Sequence, residues 1–318
     1  MHFDDLKTAV PKALRAWGNL SETPDSLLTP LLIVQQELSK GSVPANRLAT
    51  NKVLLNGIHQ LQKQDPTSAQ ILTLRFIDGA TILMTASKLN LSEDQVKRRQ
   101  RDAIGSLTQV LWEQETAVRD ARLHSLQARL PPPTCTNLFG FNARIAELLG
   151  YLAQPADPGV IAIVGIGGIG KTALADRVVR AILPQFVYQD IVWLRVNANN
   201  IDTDDQLDTA LHAIINDLAD HLCPQTTPFS NGRTACLRQT LKNHPTLVVI
   251  DNLETETNIT TLLHTLNDWA IPSKFLLTTR WRLPAASTAY SFTLDELRPQ
   301  AAADLIRAHA QSLNITEL

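Results

Sequence analysis

Two stretches of the chain carry residue types at spacings suited to phosphate chemistry. The first is Gly165-x-x-x-x-Gly170-Lys171-Thr172, entered directly from the apolar run Val160-Ile161-Ala162-Ile163-Val164. A run rich in β-branched residues predicts a buried parallel strand. Ala173-Leu174-Ala175 and the residues after them predict a helix. The glycines Gly165, Gly167, Gly168 and Gly170 therefore fall at a strand-to-helix turn. Glycine there lets successive backbone N–H groups curl inward onto phosphate oxygens. The helix N-terminus adds partial positive charge. Lys171 then reaches the β- and γ-phosphates, and the Thr172 hydroxyl offers a ligand to Mg²⁺. Ile169 and Ala173 complete the predicted cradle. The second stretch is Thr246-Leu247-Val248-Val249-Ile250-Asp251, about 80 residues further on. It predicts a central strand whose closing carboxylate emerges beside the first turn, placed to hold Mg²⁺ directly or through water. Either motif alone is a weak signal; in this order and spacing they support each other.

Elements able to position these residues are legible around them. After the glycine turn come a helix Thr172–Leu183, a strand Ile191–Val196, and a helical period over Asp202–Leu222 marked by Leu207, Leu211, Ile214 and Leu218. A Pro/Thr loop covers Cys223–Asn231, a helix Arg233–Lys242, and a further buried strand Lys274–Arg280. Alternation of strand and helix predicts an α/β fold, a parallel sheet with helices on both faces.

Composition adds bounds. The chain has 318 residues, 44% of them hydrophobic and 19% charged, the profile of a globular protein of two or three domains. No apolar run reaches the roughly 18 residues of a membrane span. Met1-His2-Phe3-Asp4-Asp5 lacks the basic and apolar regions of a signal peptide. Three scattered cysteines, Cys135, Cys223 and Cys236, form no even disulfide framework, so a reducing cytoplasm is the expected setting. Cys223-x₁₂-Cys236-x₇-His244 lacks the paired spacing of a zinc site, and the cysteines are expected as separate core or surface residues. Residues 1–130 carry 16 Lys/Arg against 13 Asp/Glu, and residues 131–318 carry 13 against 18, which gives the net charge of −2.

The N-terminal half predicts an all-α region. Pro24, Pro30, Gly41 and Pro44 divide residues 1–65 into short helices without evident chemistry. From Ser68 the pattern sharpens: a helix to about Phe76, a turn at Asp78-Gly79, a helix Thr81–Leu89, a tight turn, and a helix from Ser92. Ile82, Ala86, Leu89, Leu91 and Val96 form the expected inner face, Asn90 suits a left-handed turn, and Ser92-x-x-Gln95 is a capping box. The result is a helix-turn-helix. On its second helix Val96, Ala103 and Leu107 face inward, while Lys97, Arg98 and Arg101 share the outer face. That face suits phosphates and guanine edges, or is simply a solvated basic surface. The apolar period runs on through Leu111, Val118, Leu126 and Leu130. Unbroken, Ser92–Leu130 is 39 residues, about 58 Å long; a division near Gly105 or Ala121 is the expectation. Pro131-Pro132-Pro133 ends the helix as a stiff spacer, where the domain boundary is placed.

Two parts of the chain resemble known families. Leu74-Arg75-Phe76, Asp78-Gly79, Thr81-Ile82, Ala86, Leu89, Leu91-Ser92, Val96 and Ala103-Ile104 resemble region four of bacterial sigma factors over roughly forty residues. This implies that the helix from Ser92 enters the DNA major groove. Leu83 and Met84 depart from the pattern, being apolar where the family is commonly acidic. Helix-turn-helix folds also bind protein, and an exposed Leu-Met pair suits that alternative.

Residues 138–318 resemble the NB-ARC branch of the STAND ATPases, relatives of the AAA+ proteins. The carriers are Leu138-Phe139-Gly140-Phe141, Gly165–Thr172, Val192-Trp193-Leu194-Arg195-Val196, Leu247–Glu254, Leu276-Leu277-Thr278-Thr279-Arg280, and Leu294-x-x-Leu297-x-x-x-x-Ala301-x-x-Leu305. The resemblance implies strand order 5-1-4-3-2, resting retention of ADP, and exchange for ATP that drives opening and self-association. It implies backbone contacts to adenine near Phe139 and Gly140, and a γ-phosphate-reading role for Arg280, whose alternative is a surface arginine at a strand end. Asn252 replaces the acid expected after Asp251, and Asn cannot take a proton. Glu254 substitutes if it points inward, and is otherwise a solvated loop acid. Slow hydrolysis, suited to a switch, is the expectation. The family's later Gly-Leu-Pro-Leu segment and winged-helix histidine do not occur, so the sequence looks like the front part of a longer protein.

The organisation expected is a helical region 1–65, a helix-turn-helix domain 66–130, a linker 131–137, a nucleotide-binding domain 138–292 and the start of a helical region 293–318. Three functions fit: a DNA-binding regulator switched by ATP/ADP and Mg²⁺, a bacterial relative of immune-receptor switches whose N-terminal domain binds protein, or a plain nucleotide-binding enzyme. None involves a membrane.

Overall fold

The computed structural model describes residues 1–18, 27–40, 46–135, 137–156, 158–196, 206–225, 232–253, 259–284 and 287–312. The chain forms two compact units, Met1–Arg122 and Leu123–Leu318. Among the described residues no helix is long and apolar enough to cross a membrane.

The first unit is all-α. It contains α1 (Phe3–Arg15), α2 (Leu32–Lys40), α3 (Asn46–Gln64), α4 (Pro66–Leu72), α5 (Ile82–Leu89) and most of α6 (Glu93–Gln127). Leu6, Val10, Leu14, Leu31, Leu54, Ile58, Leu107 and Leu111 are among its core residues. Gly57 lets α3 lie close on α6, since a Cβ there would stand 2.9 Å from both Leu107 and Leu111 side chains. A buried carboxylate ties α6 to α2: Leu32 N–H donates to Glu115 Oε1 and Ile33 N–H to Oε2, both at 3.1 Å.

The helix-turn-helix forms as its residues dictate. Thr81 caps α5 by accepting from Met84 N–H at 3.2 Å. Asn90 takes φ 52, the left-handed turn. Ser92 N–H donates to Gln95 Oε1 at 2.8 Å and Gln95 N–H to Ser92 Oγ at 3.2 Å, the reciprocal cap of α6. Two details differ from expectation. The helix ahead of the turn ends in a π-helical stretch, Thr73–Ile77, with Ala80 N–H reaching back to Leu74 C=O at 2.8 Å. And α6 is one helix of 35 residues, undivided at Gly105 or Ala121. An interior glycine costs only about 1 kcal/mol. Burial of Ala103, Leu107 and Leu111 on either side of Gly105 outweighs that.

The second unit is a five-stranded parallel sheet: β1 (Val160–Val164), β2 (Asp190–Arg195), β3 (Thr246–Leu253), β4 (Lys274–Thr279) and β5 (Tyr290–Thr293). Its order, β2-β3-β4-β1-β5, is the 5-1-4-3-2 that the family resemblance implied, read from the other edge. Around it lie α7 (Asn142–Ala153), α8 (Lys171–Ile182), α9 (Gln206–Leu222), α10 (Gly232–Asn243), α11 (Ile259–Trp269) and α12 (Pro299–Ser312). Strand periodicity sorts the two cores. Val160, Ala162, Val248, Ile250 and Leu277 pack with α9, α10 and α11 residues. Ile161, Ile163, Leu247, Val249 and Leu276 pack with α7 and α8. Both faces are covered, which is why the strands read as continuous apolar runs. Leu247 and Val249 face α8, so the pleat aims Asp251 to that side; past the irregularity after Ile250, Leu253 packs on the other face.

Three further features fix this unit. Lys274, 1% exposed, donates its ammonium to the carbonyls of Tyr151 and Ala156 at the end of α7, at 2.5 and 2.9 Å. The proline spacer is fastened to α8: Arg180 donates to Pro131 C=O at 2.6 Å, and Thr134 N–H to Asp176 at 3.3 Å. Cys223, just past α9, and Cys236, within α10, are joined as a disulfide, not separate as their spacing suggested. Both cysteines belong to the core region that α9 and α10 share, a proximity that counting cysteines cannot give. Cys135 is free and exposed.

Candidate functional site

The glycine turn folds as its composition demands. Gly168 has φ +77, and Gly170, which begins α8, has φ +99. Backbone of this kind excludes side chains and leaves the first turn of α8 with no side-chain cap. Uncapped N–H groups at a helix N-terminus, fronted by glycines, suit a phosphate. Gly165 is held between strands by its N–H on Thr279 C=O at 3.3 Å, and a Cβ on it would meet Leu294 C=O at 3.0 Å. Lys171 folds over the turn, donating to the carbonyls of Gly165 and Ile166, each at 2.8 Å. Ile169 packs against the α7–α8 core, and Thr172 and Ala173 are half-buried.

Two more cationic and anionic groups converge here. Arg280, just past β4, brings its guanidinium to Gly167: a Cβ on that glycine would lie 3.3 Å from Arg280 Cζ. Asp251, 1% exposed, receives the Thr172 hydroxyl on Oδ1 at 2.7 Å. Oδ1 also receives the Thr278 hydroxyl at 2.7 Å. The same Thr278 oxygen accepts Asn252 N–H at 2.9 Å, which repairs the ladder where β3 is irregular. Asn252 itself has φ 66, and its amide donates to Val196 C=O at 3.3 Å. Its side chain is thus engaged towards the end of β2.

Phe139 and Gly140 lie on the segment entering α7. Gly140 has φ +75, and a Cβ on it would stand 2.7 Å from Ala301 Cβ on α12 and 3.3 Å from Leu297 just ahead of that helix. Phe141 is buried, with its ring edge 3.7 Å from where a Gly170 Cβ would be. The segment is therefore seated beside the glycine turn.

The donor set fits a phosphate chain with Mg²⁺: a glycine cradle, Lys171 and Arg280 for the anion, Thr172 and Asp251 for the metal. Among the described residues no three His, Cys, Asp or Glu side chains are grouped so as to hold a metal ion by themselves. Lys171, Thr172, Asp251, Arg280 and the glycines are brought together. Glu254 lies outside the described residues. Lys97, Arg98 and Arg101 belong to the first unit, where all three are exposed on α6. Lys97 pairs with Asp94 at 3.2 Å. Arg75 supports this region from behind, bonding Gln100 at 2.9 Å and the Ala80 carbonyl. Leu83 and Met84 on α5 are 66% and 53% exposed.

Sequence reasoning missed two members of the site. Thr278 and Arg195 both touch Asp251, Arg195 from Nη2 to Oδ2 at 3.4 Å. The signal lay in register: Arg195 and Asp251 are direct partners of the β2–β3 pair.

Comparison with known proteins places these features. Residues 61–109 match sigma-70, region 4. The chain is similar to the regulatory protein AfsR of Streptomyces griseus, 30% identical over 180 residues, which is 55% of this chain and 17% of that protein. It thus spans about a sixth of that relative's length. Among solved structures, a STAND protein with a tetratricopeptide repeat sensor from Pyrococcus horikoshii aligns with TM-score 0.38 and 18% identity, over 57% of this chain and 26% of that one. The HORMA:CdnC:Trip13 complex of E. coli MS115-1 aligns with TM-score 0.36 and 14% identity, over 60% and 72%. Residues 141–313 match the NB-ARC domain; this is more than half of its length, and the chain belongs to the NB-ARC family.

Proposed function

We propose that the chain is a nucleotide switch that takes ADP or ATP with Mg²⁺ at the glycine turn and governs DNA binding by the helix-turn-helix. The observation that carries the nucleotide half is the contact of Thr172 with Asp251 beside Lys171 and Arg280. Mg²⁺, when bound, neutralises phosphate charge there; Thr172 and Asp251 are the residues to hold it. Lys171 exchanges its two carbonyl partners for phosphate oxygens, and Arg280 reads the γ-phosphate from the far side of Gly167. Phe139 and Gly140 supply backbone contacts to the base. Hydrolysis is slow, because Asn252 is an amide already engaged with Val196 and cannot take a proton from water. Glu254 is the remaining candidate for that proton. ATP favours self-association, which gathers several helix-turn-helix units and turns weak single contacts into firm ones.

Lys97, Arg98 and Arg101 are the proposed DNA contacts. The test is fluorescence anisotropy of labelled duplex DNA over a salt series, in ADP and in ATP with Mg²⁺. Binding should weaken as salt rises, and further in the Lys97/Arg98/Arg101→Ala triple variant. Absence of binding at low salt in either nucleotide sinks the DNA half. A second reading is favoured by the exposure of Leu83 and Met84: the helical unit docks on a protein instead. A partner whose capture is lost on Leu83→Glu or Met84→Glu, with DNA binding absent, would establish it.

A further inference from the structure

Arg195 ends β2, an edge strand of the sheet, and is the parallel partner of Asp251. Its backbone is pinned there, since Val196 N–H donates to Asp251 C=O at 2.9 Å. Ile191 packs into the α7–α8 core, and Trp193 against it, so the pleat sends Arg195 to the same face as Asp251. The Asp251 carboxylate is divided between its oxygens. Oδ1 takes two hydroxyls, from Thr172 and Thr278. Oδ2 takes Arg195 Nη2 at 3.4 Å. A guanidinium thus stands at the oxygen least engaged with neutral donors. The Arg195 side chain remains 62% exposed, so it can leave for water at small cost in packing.

We propose that Arg195 is a positioning residue that competes with the divalent cation for Asp251, and so sets the Mg²⁺ concentration at which the nucleotide site closes. This rests on the nucleotide reading above. A cation beside a carboxylate satisfies it and repels a second cation. A dication arriving with a nucleotide displaces the guanidinium, which swings out from the sheet edge. Arginine suits this role because it stays charged at any working pH and is more weakly hydrated than an ammonium. A hydroxyl or amide at position 195 leaves the Oδ2 oxygen of Asp251 without a competing cation.

The test uses the full chain and fluorescent mant-ADP, with binding followed as Mg²⁺ is raised from an EDTA-buffered baseline. In Arg195→Gln the Mg²⁺ midpoint should fall about two- to fivefold, the size of one half-exposed ion pair. Arg195→Lys keeps the charge on a more strongly hydrated group, and its midpoint should fall between those of wild type and Arg195→Gln. Thermal melts without nucleotide check that both variants fold. A midpoint in Arg195→Gln that is unchanged or raised, with wild type binding mant-ADP, overturns this inference alone. Wild type that binds no mant-ADP at any Mg²⁺ concentration, as Lys171→Ala should, overturns the nucleotide reading and this inference with it.

Discussion

Thr172 and Asp251 lie 79 positions apart in the chain, and the Thr172 hydroxyl donates to the Asp251 carboxylate at 2.7 Å. The start of α8 and the C-terminal half of β3 are thereby locked together at the phosphate site. Asp251→Asn keeps an oxygen acceptor of the same shape but removes the charge. Mant-ADP binding should persist while its Mg²⁺ dependence disappears. Asp251→Ala instead leaves the Thr172 and Thr278 hydroxyls without this acceptor, costing about 1–3 kcal/mol by urea denaturation.

Gly140→Ala should fail for two separate reasons. Its φ of +75 is unsuited to a side chain, and the new Cβ would stand 2.7 Å from Ala301 Cβ. Strain of this kind costs on the order of 1–3 kcal/mol. Because Phe141 follows and abuts Gly170, nucleotide affinity should fall with the melting temperature. Gly150→Ala is the control. It lies within α7 with nothing within 4 Å of its added Cβ, so it should stabilise by roughly 0.5–1 kcal/mol.

The contrast between what could and could not be read from the sequence has a physical origin. Local chemistry was legible: the glycine turn, the aspartate after the apolar run of β3, the Ser92–Gln95 box and the left-handed Asn90 each follow from a few neighbouring residues, although β3 runs two residues past Asp251 to Leu253. Strand order followed from resemblance, not from the residues themselves. Contacts made by register were hidden, because pairing Arg195 with Asp251 needs two strands 56 positions apart to be aligned to the residue. The continuity of α6 was hidden too, since Gly105 punctuates the sequence but its cost is small beside the burial around it. The disulfide partners came together only through the packing of α9 on α10.

Acid should weaken the helix-turn-helix region through Asp65, the cap of α4, which accepts Ser68 N–H at 3.0 Å. Hydrogen bonds from the Ser68 hydroxyl and backbone N–H hold its carboxyl below the ordinary value of 3.8. A depressed folded value means that this contribution is present above 3.8 and is lost as pH falls through the folded value. Asp65→Asn keeps a capping oxygen but has no proton to gain. Its urea midpoint should therefore drop less than that of wild type between neutral and strongly acidic pH. An equal drop in both would remove Asp65 from the acid response.

Glu115 tests how far a single buried charge organises the helical unit. It is fully buried, its two oxygens fork over the Leu32 and Ile33 N–H groups, and Arg119 Nε donates to it at 2.6 Å. These N–H groups are at the start of α2, where the helix dipole favours an anion. Glu115→Ala removes the anion and leaves both donors without that acceptor, so a loss of about 1–3 kcal/mol is expected. Glu115→Gln can still accept through its carbonyl but presents an N–H₂ to the second donor, and should also destabilise. The exposed pair Lys7–Asp4, at 3.1 Å, supplies the comparison. Lys7→Ala should shift stability by no more than about 0.5 kcal/mol. If the two sites respond alike in urea, the bidentate cap is not what holds α2 to α6, and apolar contacts such as Val34 and Leu111 carry that junction instead.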